Sequence, residues 1–245
     1  VGTQVILPHS FGTWREVAVI AADKLVAVPA EIDPIQAAML KVNPITAWRM
    51  LHDFVPIKPG DWLIQNAANS GAGQCVIQIA RELGYKTVNV VRRPELVEEL
   101  RSLGGDVVLV DGENLRDEVA AATGKARIRL ALNAVGGENA LRVAKCLAAD
   151  GTMVTYGAMS LQPLSIPNGM LIFKNLHFTG FWVNKWYDAA TPDQRAETFR
   201  PLFEMAKRGL LRSKVEKSYS LEEAQAAIAH ASQNKRSGKI VFEFA

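Results

Sequence analysis

Residues 67–74 are mostly small, and their backbone would suit the binding of a phosphate group. They read Ala-Ala-Asn-Ser-Gly-Ala-Gly-Gln, and glycines at such a turn let the backbone come close to a pyrophosphate. A helix that begins here would also direct its free N–H groups at the negative charge. The match to the G-x-G-x-x-G pattern is partial, because Val76 stands at the third glycine position after Gly71 and Gly73. A tight turn that needs small residues only for packing is the alternative.

Two consecutive arginines, Arg92 and Arg93, indicate which dinucleotide such a turn would bind. Arg92 lies 21 residues after Gly71 (92 − 71). Near this place an NAD site carries an acidic residue for the ribose, whereas an NADP site carries an arginine for the 2′-phosphate. Here the next carboxylate is Glu95. A guanidinium can bind a phosphate through two N–H groups, so the pair favours NADP(H). A solvated pair at a helix entry is the alternative.

Two further groups of residues could complete a ligand site. Residues 133–137, Asn-Ala-Val-Gly-Gly, and 156–159, Tyr-Gly-Ala-Met, each come where a predicted strand ends. The carboxyl ends of parallel strands are where doubly wound sheets bind their ligands. Residues 133–137 offer flexible backbone there, and Gly157 and Ala158 would let the main chain lie against a nicotinamide ring, although such small residues also occur in plain loops. The aromatic stretch 181–186 could line an apolar substrate channel, or it could belong to the core, as most aromatic side chains do.

The composition and the absence of certain motifs argue against several other functions. No G-x-S-x-G motif and no P-loop lysine are present, which argues against a serine hydrolase and an NTPase. The four histidines are scattered and only Cys75 and Cys146 are available as thiols, so we predict no metal site and no disulfide framework. The formal charge of +3 comes from 28 basic and 25 acidic residues of mixed order, which predicts no nucleic-acid partner. No apolar run approaches the roughly 18 residues of a membrane span, so no membrane partner is predicted.

An alternation of strands and helices should position the candidate residues. The pattern predicts strands at 62–66, 87–91, 106–110, 128–134, 152–156 and 177–182, and helices at 71–83, 94–103, 115–122 and 139–147. Several of these helices end at a glycine, the residue that favours a left-handed cap. Nearly continuous apolar strands are typical of a parallel sheet that is covered on both faces. We therefore predict an α/β fold with a doubly wound, six-stranded parallel Rossmann sheet.

Both ends of the chain show a different pattern. Short strands are predicted at 5–7, 14–20 and 25–28, and helices from Pro34 and from Asn43. After Lys185 we predict helices at 193–209 and 221–234, a strand near Val215 and a last strand at 239–244. Short strands of this kind need partners to be stable. We expect residues 42–184 to form the NADP-binding Rossmann domain, and residues 1–41 and 185–245 to form parts of a second, β-rich domain.

Several segments carry a resemblance to a known family. They are Asn-Pro-Ile-Thr-Ala-Trp-Arg-Met-Leu at 43–51, Gln-Asn-Ala-Ala-Asn-Ser-Gly-Ala-Gly-Gln at 65–74, Ala-Leu-Asn-Ala-Val-Gly-Gly at 131–137, Gly-Thr-Met-Val-Thr-Tyr-Gly-Ala-Met at 151–159 and Gly-Phe-Trp at 180–182. With these segments the chain resembles the mitochondrial-type trans-2-enoyl-CoA reductases, or 2-enoyl thioester reductases, of the medium-chain dehydrogenase/reductase superfamily. The resemblance runs from about Gly12 to the C-terminus.

The resemblance implies an NADPH-dependent oxidoreductase of fatty acid synthesis. The enzyme would reduce the C2=C3 double bond of a trans-2-enoyl thioester of CoA or acyl carrier protein, by hydride transfer to the β-carbon and protonation of the α-carbon. The family usually has Arg-x-Arg where this chain has Arg92-Arg93, so either arginine could bind the 2′-phosphate. The implied cofactor contacts are Asn43, Asn69, Ser70, Gly71, Ala72, Gly73, Arg92, Arg93, Tyr156, Gly157, Ala158, Met159, Phe181, Trp182, Val183 and Lys239.

The resemblance also implies features outside the cofactor site. The chain ends would belong to a GroES-like substrate domain, and the tyrosine that the family uses as proton donor would lie upstream of Val1, so no catalytic residue is assigned within this chain. Val42 stands where zinc alcohol dehydrogenases have a cysteine ligand, which implies the zinc-independent branch. A homodimer through the edge of the sixth strand is implied, in the cytoplasm of a bacterium or in the mitochondrial matrix.

Two other functions remain open from the sequence. A zinc-free NADPH-dependent quinone or enone reductase would share the fold and the cofactor. A non-catalytic NADPH-binding protein would share the nucleotide site without turnover. Substrate comparison separates the first from an enoyl reductase, and NADPH binding without turnover would favour the second.

Overall fold

The computed structural model describes residues 1–233 and 236–244. The chain divides into two compact units. One unit is Thr46–Trp182, and the other combines Val1–Ile45 with Val183–Ala245. The predicted helix end at Asn234 lies outside the described residues.

Strands and helices alternate through the first unit and follow no such regular order in the second. The strands are β1 (Val5–Ile6), β2 (Val26–Ala27), β3 (Trp62–Gln65), β4 (Lys86–Val91), β5 (Val107–Val110), β6 (Leu130–Asn133), β7 (Thr152–Thr155), β8 (His177–Gly180), β9 (Val215–Tyr219) and β10 (Lys239–Phe242). The helices are α1 (Pro34–Met39), α2 (Asn43–His52), α3 (Gly71–Glu82), α4 (Val97–Leu103), α5 (Leu115–Ala122), α6 (Gly137–Lys145), α7 (Asn168–Ile172), α8 (Val183–Ala189), α9 (Pro192–Lys207) and α10 (Ala224–Ala231). Short 3-10 turns occur at Ala22–Lys24, Pro94–Leu96 and Leu221–Glu223.

The sheet of the Thr46–Trp182 unit has six parallel strands within the described residues, in the order β5-β4-β3-β6-β7-β8. The predicted six-stranded parallel sheet is therefore confirmed. Its strand order runs outward in both directions from the neighbours β3 and β6, where Leu63 pairs with Leu130. This reversal is the switch point at which doubly wound sheets bind ligands, outside the carboxyl ends of the strands.

Apolar layers cover both faces of this sheet. On one face Ile64 and Val88 pack with buried residues of α5 and α6, among them Leu115 and Val143. On the other face a second cluster includes residues of α3 and α4 together with strand ends. Because both faces are buried, the strands are apolar nearly throughout, which is why the sequence pattern was continuous rather than alternating.

Two helix ends in this unit, at Ser70 and Gly104, follow local capping rules. Ser70 is the N-cap of α3, and its hydroxyl accepts a hydrogen bond from the Gly73 N–H at 3.1 Å. Gly104 ends α4 in the left-handed conformation, with φ of 113°. An L side chain rarely adopts this conformation, so glycine at this cap is required by the backbone.

The second unit differs from its prediction in one strand. Residues 14–20 form no strand, and Trp14 and Val19 are 60% and 98% exposed. Within the described residues no strand forms a ladder with this segment, and strands without partners are not stable. The observed pairs are β1 with β2, antiparallel, and β9 with β10, parallel.

Residues 181–186 also differ from the prediction. The sixth strand was expected to extend to Trp182, but β8 ends at Gly180 and Val183 begins α8. The helix α9 follows, and it is fixed by a capping box between Thr191 and Gln194 with Pro192 in its first turn.

Candidate functional site

The turn between β3 and α3 is too tight for a side chain at Gly73. A Cβ atom built on Gly73 would lie 2.6 Å from the carbonyl oxygen of Ala68 and 2.7 Å from that of Ala67. Ala67 itself has a positive φ of 46°. The backbone therefore folds back on itself at the start of α3, which leaves the helix N-terminus at the switch point of the sheet, as a phosphate site requires.

The predicted residues of this turn lie together at the start of α3. Asn69, Ser70 and Gly71 are half-buried, whereas Ala72 and Gly73 are buried. The side chain of Gln74 donates to the Asn69 carbonyl oxygen at 3.1 Å and so closes the turn from the helix side. The arrangement presents a short stretch of backbone rather than bulky side chains, which suits close contact with an anion.

Tyr156 connects the end of β7 to this turn. Burial raises the pKa of Tyr156 to about 12, an effect that the nearby Ser70 side chain partly offsets. The hydroxyl is buried, and no described residue makes a hydrogen bond of normal geometry with it. Tyr156 therefore stays protonated at neutral pH and has a donor available beside the N-cap of α3.

Arg92 and Arg93 follow β4, the strand next to β3, and they have different environments. The Arg93 guanidinium lies 3.5 Å from the Glu95 carboxylate, and its side chain is 26% exposed. Arg92 is exposed and forms no ion pair with the residues that the structure describes. The sheet thus places two cations directly after the strand next to β3, and Arg92 has no ion-pair partner among the described residues.

Buried asparagines link the ends of β3 and β6. The Asn66 amide nitrogen donates to Asn133 Oδ1 at 2.7 Å and to Asn139 Oδ1 at 2.6 Å. The Asn133 amide nitrogen donates to Thr155 Oγ1 at 3.1 Å, which extends the connection to the end of β7. These contacts cross-link the carboxyl edge of three strands.

Two loops at this edge pack against each other. The Gly136 loop, residues 134–137, follows β6, and the Tyr156 loop, residues 156–162, follows β7. A Cβ atom on Gly157 would lie 3.0 Å from the Ala134 carbonyl oxygen, so the small residue predicted at 157 is needed for this contact. In the Tyr156 loop, Gly157 is half-buried, whereas Ala158 and Met159 are exposed.

The remaining predicted residues are divided between the two units. Phe181 and Trp182 end the first unit, where Phe181 packs edge-on against Phe54 at 6.0 Å between ring centroids and Trp182 is exposed. The remaining three, Asn43, Val183 and Lys239, belong to the second unit. Their cofactor roles stay predictions.

Asn66 was not among the residues singled out from the sequence. A signal for it exists, because it is a polar residue that directly follows the buried apolar strand β3. Asn133 shows the same pattern at the end of β6 and was noted only for its flexible neighbours.

An ion pair between Asp111 and Arg142 joins the loop after β5 to α6. Two hydrogen bonds, at 2.8 and 2.6 Å, connect the guanidinium to the carboxylate. Burial alone would raise the pKa of Asp111, but hydrogen bonds from Arg142 and Asn139 and the charge of Arg142 outweigh it and lower the pKa. The pair therefore stabilises the fold in the ionised form.

We predict a pH-dependent effect of Asp111→Asn on stability. A lowered pKa in the folded state contributes stability that is fully present above the unfolded value of about 3.9 and is lost as the pH falls through the lowered folded-state pKa. The substitution should lower the free energy of unfolding by about 1–3 kcal/mol at pH 7 and by much less near pH 3. Urea unfolding at both pH values measures this.

The matched control is Glu98→Gln, in an exposed pair with Arg101 on α4. Exposed pairs contribute about 0–1 kcal/mol, so this change should be small at either pH. An Asp111→Asn effect of equal size at pH 7 and pH 3 would contradict the assigned ionisation.

The described residues do not fit a bound zinc ion. Among them no group of three or more His, Cys, Asp or Glu side chains lies close enough together to hold a metal. Burial raises the pKa of the Cys146 thiol to about 12, so it is a poor thiolate ligand. In the same described part of the chain, no helix has the length and apolar character needed to traverse a bilayer.

The fold and the glycine turn together define a class of protein. A six-stranded doubly wound sheet with a tight glycine turn at its switch point is the Rossmann arrangement of dinucleotide-binding oxidoreductases. The profile of a family described as "Zinc-binding dehydrogenase" matches residues 71–201, just over half of the chain. The chain belongs to this family of the medium-chain dehydrogenase/reductase superfamily, in the branch of the enoyl-[acyl-carrier-protein] reductases. The predicted family resemblance is thereby confirmed.

Curated relatives support this placement along most of the chain. The mitochondrial enoyl-[acyl-carrier-protein] reductase of Homo sapiens is 44% identical over 222 residues, which cover 89% of this chain and 60% of the relative. The protein of the same name from Dictyostelium discoideum is 37% identical over 243 residues, covering 97% of this chain and 69% of the relative. The chain thus spans about 60% of the length of the human relative.

Solved structures with the same fold cover nearly the whole chain. The structure of an Etr1p/NADP/crotonyl-CoA complex has a TM-score of 0.88 and 31% identity, covering 99% of this chain and 74% of that one. A putative NADPH:quinone reductase from Bacillus thuringiensis has a TM-score of 0.91 and 28% identity, covering 100% of this chain and 75% of that one.

Proposed function

We propose that this chain binds NADP(H) and that its protein reduces the C2=C3 double bond of a trans-2-enoyl thioester. The observation that carries the proposal is the turn at Gly73, which brings the N-terminus of α3 to the switch point of the sheet. Arg92 and Arg93 stand at the end of the adjacent strand β4. The names of the relatives, enoyl-[acyl-carrier-protein] reductase and a complex with NADP and crotonyl-CoA, supply the reaction.

The residues at the carboxyl edge fit this cofactor. The N-terminus of α3 would hold the pyrophosphate, because free N–H groups and the helix dipole favour an anion. Arg92 and Arg93 would bind the 2′-phosphate. The small residues Gly157 and Ala158 would let the main chain lie along the nicotinamide. When bound, NADPH supplies the hydride that the reduction needs.

The substrate side of the proposal rests on the relatives. The substrate would be an enoyl thioester of CoA or acyl carrier protein, and the second unit, drawn from both chain ends, would form part of a GroES-like substrate domain. Because the named relatives are mitochondrial, the mitochondrial matrix is the proposed location.

A homodimer through β8 is part of the same proposal. β8 is the last strand of the sheet, and its residues His177, Thr179 and Gly180 are exposed. An open strand edge pairs readily with a copy of itself. A monomeric mass in sedimentation equilibrium would count against the dimer.

Quinone reduction is the second candidate function. It is favoured by the TM-score of 0.91 to the putative NADPH:quinone reductase, at 28% identity. Both candidates use the same cofactor and fold, so only the substrate separates them.

Cofactor binding and turnover test the proposal in two steps. Fluorescence titration of this chain should give at least about tenfold tighter binding of NADPH than of NADH, because the 2′-phosphate adds charged hydrogen bonds. The full product of the gene should then oxidise NADPH with crotonyl-CoA and not with a quinone.

Each other outcome changes a different part of the proposal. Preference for NADH would overturn the assignment of the arginines. Turnover with quinones but not with crotonyl-CoA would establish the second candidate, and tight NADPH binding without turnover would favour a non-catalytic nucleotide-binding protein.

A further inference from the structure

We propose that Asn66 and Asn133 are positioning residues that hold the Gly136 loop and the Tyr156 loop together as one support for the nicotinamide half of NADPH. The proposal rests on the proposed function for its cofactor part. Both side chains are 0% exposed. They would therefore act through the loops, without contact to the cofactor.

The amide of Asn133 builds the Gly136 loop from inside. Its Oδ1 accepts hydrogen bonds from the N–H groups of Val135 and Gly136, each at 3.1 Å, as well as the bond from Asn66. Its nitrogen donates to Thr155. The oxygen accepts hydrogen bonds from three donors. A flip of the amide would leave buried N–H groups unpaired, which costs about 1–3 kcal/mol for each group.

Asn66 fixes the same loop from the neighbouring strand. Its Oδ1 accepts from the Ala134 N–H at 2.7 Å, while its nitrogen binds Asn133 and Asn139. Asn66 directly follows β3 and Asn133 is the last residue of β6, and these two strands flank the switch point. The start of the Gly136 loop is therefore tied to both sides of the crevice in which the cofactor is proposed to lie.

The Gly136 loop in turn holds the Tyr156 loop. The N–H of Met159 donates to the Ala134 carbonyl oxygen at 2.9 Å, and the N–H of Ser160 donates to the Val135 carbonyl oxygen at 3.0 Å. The Ser160 hydroxyl donates to the same Val135 oxygen at 2.7 Å.

Close packing strengthens this contact at Gly136. A Cβ atom on Gly136 would lie 2.6 Å from the Gln162 carbonyl oxygen. The two loops thus share hydrogen bonds and a close backbone contact, and a shift of one must move the other.

This arrangement makes the position of the Tyr156 loop depend on a side chain in β6. Truncating Asn133 removes the acceptor of two loop N–H groups, after which the Ala134 and Val135 carbonyls lose their fixed direction. The Tyr156 loop, which carries the small residues proposed to face the nicotinamide, is then released. Buried and fully satisfied polar networks fix one conformation in this way.

Hydrogen exchange and NADPH titration of the full chain test the proposal. In Asn133→Ala, the amides of both loops should exchange faster, while those of β3 and β4 keep their protection. The dissociation constant for NADPH should rise by about tenfold or more. Asn66→Ala should act similarly, and the double variant should weaken binding little beyond either single one, since both act through the same loop.

The matched control is Thr87→Val at the amino edge of the same sheet. Thr87 is buried, and its hydroxyl oxygen accepts from the Asn89 amide at 2.9 Å. The variant also loses a buried hydrogen bond, so it should reduce stability by a similar amount. It should leave hydrogen exchange in the Gly136 and Tyr156 loops unchanged, whereas a merely structural role of Asn133 would make the two variants alike in loop exchange.

Two outcomes overturn the proposal and differ from failure of the proposed function. If Asn133→Ala leaves exchange in the Tyr156 loop unchanged, the loops are not coupled, whatever the cofactor. If the loops are released together but NADPH affinity equals that of the unaltered chain, the positioning role is wrong. Absence of NADPH binding in the unaltered chain contradicts the proposed function and the cofactor part of this proposal, while the exchange result still decides the coupling.

Discussion

Replacing Gly73 with alanine is expected to abolish measurable NADPH binding and to lower the free energy of unfolding by about 1–3 kcal/mol. The added Cβ would lie 2.6 and 2.7 Å from two carbonyl oxygens and 2.8 Å from the carbonyl carbon of Ala68. These atoms are backbone, so relief of the clash requires the turn itself to move. Equilibrium titration with NADPH and chemical denaturation measure the two effects.

The binding loss should exceed the stability loss because of where the strain falls. To relieve the clash, the first turn of α3 must move away from the end of β3, and the Ser70 cap at 3.1 Å to the Gly73 N–H is stretched. The N–H groups proposed to bind the pyrophosphate are those of this first turn. A displacement of about 1 Å in groups that must meet a ligand has large effects on affinity, whereas the core beneath them stays packed.

Gly112→Ala provides the matched control. Gly112 lies in the loop after β5, no atom stands within 4 Å of its built Cβ, and its φ is outside the left-handed region. The same chemical change should therefore leave NADPH affinity unaltered and shift stability by less than about 1 kcal/mol. If the Gly73→Ala variant binds NADPH with the same affinity as the unaltered chain, the turn is not part of the cofactor site.

The parts of the fold that follow from local chemistry could be predicted from the sequence. The sheet strands and the helices between them are short segments whose apolar patterns report their own burial, and their ends are set by nearby residues such as Ser70 and Gly104. The glycine turn is equally local, because the clash that demands Gly73 comes from atoms five and six residues earlier.

The segments whose predicted conformation was wrong depend on contacts with other parts of the chain. Residues 14–20 have strand-forming residues, but a strand requires a hydrogen-bonded neighbour, and in the described chain no strand pairs with them. The stretch after Gly180 has aromatic residues that suit a strand, yet α8 begins at Val183. Composition alone did not distinguish the two conformations, since aromatic residues occur in both.

The asparagine network could not be predicted for a related reason. Asn66 and Asn133 are 67 residues apart in the chain, and they meet only because β3 and β6 are neighbours in the sheet. The sequence shows a polar residue at the end of each apolar strand, which is a usable signal. Which of these residues pair with one another follows from the strand order.

Arg92→Ala is expected to weaken NADPH binding by about 10- to 100-fold, with little change for NADH. Arg92 is exposed at the end of β4 and has no ion-pair partner among the described residues, so its full charge is available to a 2′-phosphate. NADH lacks that phosphate and should not respond. Titration of the variant with both cofactors measures the change in preference.

Arg93→Ala should weaken NADPH binding less than Arg92→Ala does, because the Arg93 guanidinium already lies 3.5 Å from the Glu95 carboxylate. Binding a phosphate must draw this guanidinium from a carboxylate, which offsets part of the gain. Glu95→Gln removes that competition, and it also removes a negative charge near the phosphate. It should tighten NADPH binding by about two- to threefold, within the range that partly exposed ion pairs allow.

The salt dependence and the cofactor dependence of these variants distinguish a 2′-phosphate site from a solvated arginine pair at a helix entry. If the arginines bind the 2′-phosphate, the loss caused by Arg92→Ala should shrink as salt is raised, because screening weakens the attraction in the unaltered chain. The double variant of Arg92 and Arg93 should then bind NADPH and NADH alike. If Arg92→Ala weakens NADPH and NADH binding equally, the two arginines are only a solvated pair at the helix entry. Any preference for NADPH would then come from other residues.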